Sequence, residues 1–193
     1  MAKTKADFPV SDVRRYLEPG PIVLVSSAWR GETNIMTMGW HSIMDFVPSL
    51  VGCMISAGNH SLNLIKRSGE CVINVPTTAS TAIVIGIGNC SGASVDEFKK
   101  FKLTADPATE VEAPLIRECY ASFECMVKDD RLVSQYKFFH FRSGQGACGA
   151  AAEISADAAL YRRRRVHGRG QDHQPRKSAA PADAVAFPRS AQF

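Results

Sequence analysis

Residues 34–76 read NIMTMGWHSIMDFVPSLVGCMISAGNHSLNLIKRSGECVINVP, and this stretch carries most of the information about the fold. Its apolar residues fall into short runs bounded by Gly, Pro, Asn or Ser, which are typical of turns. Three of these runs are predicted to be β-strands: NIMTMGW (34–40), LVGCMISA (50–57) and CVINV (71–75). The alternation along the first strand places Ile35, Thr37 and Gly39 on one face, opposite Met36, Met38 and Trp40. The residues between Trp40 and Pro48 are interpreted as a link.

A polar corner, Gly58-Asn59-His60-Ser61, separates the second predicted strand from the third. It opens a predicted helix that continues through Lys66. Asn59 or Ser61 can cap this helix, because either side chain can accept a hydrogen bond from a backbone N–H of the first turn.

The flanking sequence continues the pattern of short strands and small helices. Further strands are predicted at 22–29, 118–128 and 135–141, with a turn at 129–131. The strand at 118–128 would place Cys119 and Cys125 on one face. Residues 77–88 suit a strand or a helix; a helix is preferred because TAS begins the run and glycines end it. Short helical segments are also predicted around 13–17 and 95–103. The chain is therefore predicted to be mainly β with small helices, forming a closed or nearly closed antiparallel barrel.

Composition limits the classes of protein that this chain can form. The 193 residues, 45% of them hydrophobic, suit one domain of ordinary size. No run of eighteen apolar residues predicts a membrane span, and no apolar stretch follows the first lysines to form a secretory signal. The six cysteines form no C-x-x-C pair, so we expect reduced, mostly buried thiols and a cytoplasmic protein.

The positive charge is confined to the last quarter of the chain. Residues 1–141 hold 14 Lys and Arg against 15 Asp and Glu, a net charge of −1. Residues 142–193 hold 9 basic and 4 acidic residues, a net charge of +5. We therefore do not expect nucleic acid to be a partner of the main body. The four arginines at 162–165 leave salt-sensitive binding through the tail as an alternative.

Several motifs occur in a fixed order along residues 12–141. They are Asn34-x-x-Thr37-Met38-Gly39-Trp40, Pro48-x-Leu50, Asn59-His60-Ser61 before Leu64-Ile65, Glu70-x-Val72-x-Asn74-Val75, and Cys90-Ser91-Gly92-x-x-Val95-Asp96-x-Phe98. Together they resemble the flavin reductase-like family, and the flavoredoxin-like branch in particular. The resemblance implies the FMN-binding split β-barrel fold, a homodimer, and FMN held near the subunit interface.

The sequence predicts two regions: a split-barrel domain at 1–141 and an atypical tail at 142–193. The tail has thirteen alanines but only six Ile, Leu, Val, Phe or Met residues. Family members are expected to continue with further strands there, so any cofactor contacts from those strands are in doubt. An altered reading frame near residue 142 is our hypothesis. Gene sequences of relatives that match the tail in frame would refute it.

A bound FMN needs donors for its phosphate and an apolar bed for its rings. The helix that begins at Asn59-His60-Ser61 offers backbone N–H groups to a phosphate, although Ser61 can equally be no more than a cap. The resemblance implies ring contacts along 37–40, where Gly39 allows close approach of the backbone. It also implies that the loop at 90–92 approaches the flavin, often from the partner subunit, although a plain connector is an equal alternative.

The remaining candidates have alternative structural roles. Asn34 could bond the cofactor or close the turn at Gly31, and His41 could contact flavin or substrate or lie on the surface. The predicted cofactor-binding residues are Asn34, Thr37, Met38, Gly39, Trp40, His41, Ser56, Asn59, His60, Ser61, Ser91 and Gly92.

No Ser, His and Asp triad and no metal-ligand spacing is found, so no catalytic side chain and no metal are predicted. The resemblance implies NAD(P)H-dependent reduction of flavin, or electron transfer through bound FMN, in which the cofactor carries the chemistry. A non-catalytic flavin-binding or haem-related module on the same barrel is the alternative. The sequence leaves open whether NADH or NADPH is used.

Overall fold

The computed structural model describes residues 21–148. The predicted helix around 13–17, the arginines at 162–165 and the tail from residue 149 onward lie outside the described residues. The proposed change of reading frame therefore stays a hypothesis.

The described part of the chain forms nine strands and four α-helices. The strands are β1 (Val23–Trp29), β2 (Glu32–Met38), β3 (His41–Phe46), β4 (Ser49–Met54), β5 (Glu70–Val75), β6 (Ala105–Asp106), β7 (Leu115–Ile116), β8 (Ala121–Asp129) and β9 (Phe138–Cys148). The helices are α1 (His60–Ser68), α2 (Thr81–Gly88), α3 (Glu97–Phe101) and α4 (Val133–Tyr136), and a 3-10 turn, Thr78–Ser80, precedes α2. The helix preferred for 77–88 is thus confirmed.

Seven strands form one antiparallel sheet in the order β2-β1-β5-β8-β9-β4-β3. The strands β2 and β3 lie at opposite edges of this order, yet only Gly39 and Trp40 separate them in sequence. Two residues span only about 10 Å, so the two edges must meet at this corner. A hydrogen bond from the Met54 N–H to the Trp40 carbonyl oxygen, 2.9 Å, ties the corner to β4. The sheet therefore curls into a barrel, and the predicted mainly β fold is confirmed.

The barrel interior holds the largest core cluster. Met36 and Met38 point into it from β2, together with Phe139 and Phe141 from β9. On the other face of β2, Ile35 packs with α2 in a second cluster, which we call the outer cluster. The predicted alternation of β2 is thereby confirmed for these side chains, and it assigns one face of β2 to the barrel and the other to the helices.

Three thiols are buried inside the barrel. Cys53, Cys71 and Cys125 are free and inaccessible, and Cys71 lies directly opposite Cys125 in the pairing of β5 with β8. Burial raises the pKa of Cys53, while a hydrogen bond with Cys125 is the main cause of the raised pKa of Cys71. Three of the five cysteines that the structure describes as free are therefore buried, in line with the predicted reduced, mostly buried thiols. The cytoplasmic location stays a prediction.

The predicted link after Trp40 is wrong, because residues 41–46 form the strand β3. This strand pairs with β4, with His41 opposite Cys53 and Phe46 opposite Ser49. The sequence HSIMDF lacks a regular apolar alternation, and most of its side chains are exposed at the edge of the sheet. Pairing of the backbone alone therefore defines this strand.

The strand predicted at 118–128 begins at Ala121 instead. Cys119 lies before the strand and packs in the outer cluster, whereas Cys125 lies in the barrel core, so the two cysteines do not share a face. The strand predicted from residue 135 begins at Phe138, since 133–136 form a helical turn. That turn ends at Lys137, whose φ of 58° is left-handed.

The last described strand passes the predicted boundary at Phe141 and continues to Cys148. Arg142 pairs with Leu50, and Ser143 pairs with Cys125, so β9 is flanked by β4 and β8. Backbone hydrogen bonds hold this segment, and they do not require apolar side chains. The extent of the two predicted regions stays a prediction. None of the helices within residues 21–148 is long and apolar enough to cross a bilayer.

Candidate functional site

A polar pocket opens where the outer face of β2, the beginning of α1 and the end of α2 meet. Its volume is about 120 Å³. It is lined by Asn34, Ile35, Met36, Thr37, Gly58, Asn59, His60, Ile87, Gly88, Cys90, Ser91 and Gly92. We refer to this cavity as the polar pocket. It is smaller than the roughly 300–1,000 Å³ of a complete small-molecule site, so it suits one polar end of a larger ligand.

The beginning of α1 forms one wall of the polar pocket. Asn59 is the N-cap: its Oδ1 accepts from the Ser61 backbone N–H at 3.0 Å. The first turn itself contains no acidic residue, and its partial positive charge favours a bound anion. His60 Nε2 lies 2.6 Å from Glu32 Oε1, so the imidazole is held beside the pocket by a carboxylate of β2.

The second wall comes from β2 and α2. The Thr37 hydroxyl donates to the Val84 carbonyl oxygen at 2.7 Å, which joins β2 to α2. Ile87 and Gly88, at the end of α2, then reach the pocket. The packing of α2 against β2 in the outer cluster therefore determines the shape of this wall.

The loop after α2 closes the polar pocket through Gly92. A Cβ atom at this position would overlap the side-chain amide of Asn34. It would also lie 2.9 Å from Glu97 Oε1. Only a residue without a side chain can approach β2 this closely, so Gly92 is required by packing.

A buried hydrogen-bond network lies behind the pocket. The Ser27 hydroxyl donates to Ser61 Oγ at 3.1 Å, and Ser61 Oγ lies 2.6 Å from the Asn34 amide. If Asn34 turned its oxygen toward the ionised Glu97, two acceptors would face each other. With the nitrogen toward Glu97, the amide donates to both carboxylate oxygens, at 3.1 and 3.2 Å, and accepts from Ser61.

Glu97 is the buried carboxyl group of this network, with only 2% of its surface exposed. Burial raises its pKa, while hydrogen bonds from its own backbone N–H and from that of Ile35 oppose this change. Removing a charged carboxylate from water is unfavourable unless it is hydrogen-bonded. The backbone donors and Asn34 supply those bonds here.

The structure brings six of the predicted residues together around the polar pocket: Asn34, Thr37, Asn59, His60, Ser91 and Gly92. Ser61 lies in the network behind them, fully buried. The others lie elsewhere: Met38 in the barrel core, Gly39 and Trp40 at the β2–β3 corner, His41 at a second cavity, and Ser56 exposed ahead of α1. Their roles toward a cofactor stay predictions.

Sequence reasoning did not assign several residues of the site. They are Ile35, Met36, Gly58, Ile87, Gly88 and Cys90 in the lining, and Glu97 behind it. The glycines that end α2 could have indicated that this part of the chain lines the pocket, because the chain after a helix end is accessible to a ligand. Glu97 gave no signal, since a charged residue in a short amphipathic helix is normally exposed.

A second, larger cavity of about 490 Å³ lies on the barrel side of the sheet and is mainly apolar. Its apolar lining includes Val23, Val51, Ile73, Val75 and Phe123. His41 stands at this cavity with its Nε2 2.7 Å from the Pro21 carbonyl oxygen. The described residues contain no group of three or more His, Cys, Asp or Glu arranged to hold a metal ion.

Residues 14–168 match the family model of the flavin reductase like domain. The chain therefore belongs to the flavin reductase-like family, as the order of motifs predicted. An uncharacterised protein of Archaeoglobus fulgidus is 35% identical over 118 residues, which is 61% of this chain and 66% of that protein. The match thus spans just under two-thirds of that relative. An uncharacterised protein of Pyrococcus abyssi is 32% identical over 125 residues, covering 65% of this chain and 72% of that protein.

Solved structures agree with the fold. Flavoredoxin of Desulfovibrio vulgaris superposes with a TM-score of 0.63 at 23% identity, covering 67% of this chain and 70% of that one. Flavoredoxin from Methanosarcina acetivorans gives a TM-score of 0.65 at 22% identity, covering 82% and 81%. At this level of identity the likeness establishes the fold alone, which is that of flavin reductase-like FMN-binding proteins.

Proposed function

We propose that this protein binds FMN and acts as a flavin-dependent oxidoreductase. The observation that carries the proposal is the polar pocket, in which the N-terminal end of α1, the outer face of β2 and the loop at 90–92 converge. The chain's membership of the flavin reductase-like family supports the same function. Several neighbouring folds are FMN-binding proteins by name, including one from Thermus thermophilus.

The residues of the pocket fit the phosphate end of FMN. The pocket is polar, and the N-terminal end of α1 lines it with Asn59 and His60. His60 is the only Lys, Arg or His among the lining residues of the described chain. The hydroxyl of Ser91 and the amide of Asn59 offer further hydrogen bonds to phosphate oxygens.

The edge of β2 fits the ring end. Within the described sheet β2 pairs with β1 alone, so its other edge has backbone groups that are not used in a ladder. Such groups can recognise the carbonyl and N–H groups of a flavin ring. Met38 points into the barrel, so we expect its contribution to come through the main chain.

Bound FMN would supply the redox chemistry, with NAD(P)H as the proposed hydride donor. The residues of the chain then have three tasks: to hold the phosphate, to orient the ring against β2, and to leave one ring face accessible. None of these tasks needs a side chain that donates or removes a proton from the substrate.

Flavin titration and turnover test this proposal together. Quenching of flavin fluorescence by the full chain measures affinity, and oxidation of NADH and of NADPH with added FMN measures activity. We expect His60→Gln to weaken FMN binding by about tenfold, because a charge-assisted hydrogen bond contributes about 1.5 kcal/mol. His140→Gln is the matched control, since His140 lies on β9 outside the pocket lining.

The outcomes separate the two candidate functions. Tight FMN binding without oxidation of either nicotinamide would favour a non-catalytic flavin-binding module. No FMN binding at all would contradict the proposed function. Equal affinity of the His60 and His140 variants would place the phosphate outside the polar pocket.

We also propose that the protein is a homodimer. The β3–β4 hairpin exposes large apolar side chains, with Phe46 85% and Val47 89% exposed. It borders the apolar cavity through Ile43 and Ser49. An exposed apolar surface of this kind is typical of an interaction site.

A further inference from the structure

A buried carboxyl group lies directly behind the polar pocket. Glu97 begins α3 and is 2% exposed. Two lining residues, Asn34 and Gly92, separate it from the pocket: the Asn34 amide contacts both of its oxygens, and Gly92 packs against Oε1. Anything bound in the polar pocket is therefore one residue away from this carboxyl group.

We propose that Glu97 is a positioning residue whose carboxyl group takes up a proton when a phosphate monoester binds in the polar pocket. The inference rests on the proposed function, because FMN is the phosphate monoester that the pocket is expected to hold. It goes beyond that function by assigning a proton-linked control of affinity to a residue outside the pocket lining.

The Asn34 amide can satisfy both protonation states of Glu97. When the carboxylate is ionised, the amide nitrogen donates to it at 3.1 and 3.2 Å, and the amide oxygen accepts from the Ser61 hydroxyl at 2.6 Å. When the carboxyl group is protonated, it becomes a donor, and the amide oxygen must face it. The amide nitrogen then donates to Ser61 Oγ across the same 2.6 Å.

The change of hydrogen-bond direction alters the beginning of α1. In the ionised state the Ser61 hydroxyl hydrogen is donated to Asn34. In the protonated state Ser61 Oγ accepts from Asn34 and from the Ser27 hydroxyl, 3.1 Å away. Its own hydrogen is then no longer donated to Asn34. Protonation of Glu97 therefore reaches Ser61, the second residue of α1, through a reversed hydrogen bond with Asn34.

The charges around Glu97 favour proton uptake when an anion binds. The neighbouring ionisable groups are His60, which favours the carboxylate, and Asp96, which opposes it. Glu32 is the only charged residue of β2, and α2 has none. A bound phosphate dianion adds a further negative charge nearby, which makes the carboxylate less favourable.

The direction in which FMN affinity changes with pH follows from this linkage. Burial already raises the pKa of Glu97 above the ordinary value of 4.5, and bound phosphate raises the pKa further. FMN affinity is then highest when the carboxyl group is protonated. It falls as the pH rises from the pKa of the free protein to that of the complex, by up to about tenfold per pH unit.

The test compares FMN with riboflavin, which lacks the phosphate, on the wild-type chain and on Glu97→Gln. Affinities are measured from about pH 5 to pH 8, a range in which the FMN phosphate also changes its charge. The same FMN is used with both proteins, which differ only at residue 97, so the ratio of the two FMN affinities isolates Glu97. The introduced glutamine amide resembles the neutral carboxyl group in shape and can bond Asn34 in either direction.

We expect Glu97→Gln to bind FMN more tightly than the wild type at the upper end of this range, by about tenfold or more. The advantage should disappear at the lower end, and it should be absent for riboflavin throughout. An FMN affinity ratio that does not change with pH overturns the proposal.

A calorimetric measurement keeps the proposal open to refutation even if Glu97→Gln does not fold. FMN is titrated into the His60→Gln protein near pH 8 in two buffers with different ionisation enthalpies. A binding enthalpy that depends on the buffer, with the sign of proton uptake, supports the proposal; equal enthalpies overturn it. Failure of FMN to bind under every condition would instead contradict the proposed function and the inference with it.

Discussion

Gly92 illustrates how a single residue shapes the polar pocket. Its backbone lies so close to β2 that the Asn34 amide occupies the place of a side chain. Gly58 lines the same pocket, but a Cβ there would meet nothing within 4 Å. These two glycines therefore provide a matched pair of positions at which to test the effect of an added methyl group.

We expect Gly92→Ala to destabilise the protein by about 1–3 kcal/mol, because the added methyl group overpacks the buried network around Asn34. FMN affinity should fall as well, since the loop at 90–92 must move. Chemical denaturation and flavin titration measure the two effects. Gly58→Ala is the control and should leave the free energy of unfolding within about 0.5 kcal/mol. Equal stabilities of the two variants would show that Gly92 is not packed against β2.

At the scale of elements, the helix α1 was predicted with either Asn59 or Ser61 as its cap. The structure assigns the cap to Asn59, and it commits the Ser61 side chain to the buried network. Gly69 ends the helix with a φ of 77°, and its N–H donates to the Ile65 carbonyl oxygen at 2.8 Å. The left-handed conformation at this position favours glycine.

Asn59→Ala should lower the free energy of unfolding by about 1 kcal/mol, because the Ser61 N–H loses its acceptor. Asn63→Ala is the control: Asn63 is exposed within α1, where alanine is the better helix former. Urea unfolding monitored by circular dichroism measures both variants. A loss of stability in Asn63→Ala equal to that in Asn59→Ala would argue against the capping role.

The strands and helices were predicted with different success for physical reasons. The runs at 22–29 and 71–75 are buried, so burial left an apolar pattern in the sequence. The strand β3 is exposed at a sheet edge and left none. The short turn α4 delays the start of the strand predicted at 135–141 until Phe138, because Tyr136 and Lys137 donate to carbonyl oxygens four residues earlier.

At the scale of the whole molecule, the closing of the barrel brings the β3–β4 hairpin to the outside. Phe46 and Val47 are largely exposed there, and the apolar cavity begins beside them. For the proposed homodimer, this surface is the part of the described chain whose burial would be most favourable.

We therefore expect Phe46→Asp to shift the protein from dimer to monomer, because a carboxylate cannot be buried there without a partner. Light scattering coupled to size-exclusion chromatography measures the mass. Ile85→Asp is the control, since Ile85 is an exposed apolar residue on α2. A monomeric wild type, or a dimeric Phe46→Asp, would contradict the use of the hairpin as the interface.

The sequence by itself determined which segments are buried and where the chain turns, because hydrophobic periodicity, glycines and helix caps act over a few residues. It also indicated the family, since the order of motifs is a property of the chain alone. Only the tertiary structure decided that Glu97 is buried, that β3 closes the sheet, and that Asn34, His60 and Gly92 share one pocket. These features depend on contacts between residues far apart in sequence, and no local pattern encodes such contacts.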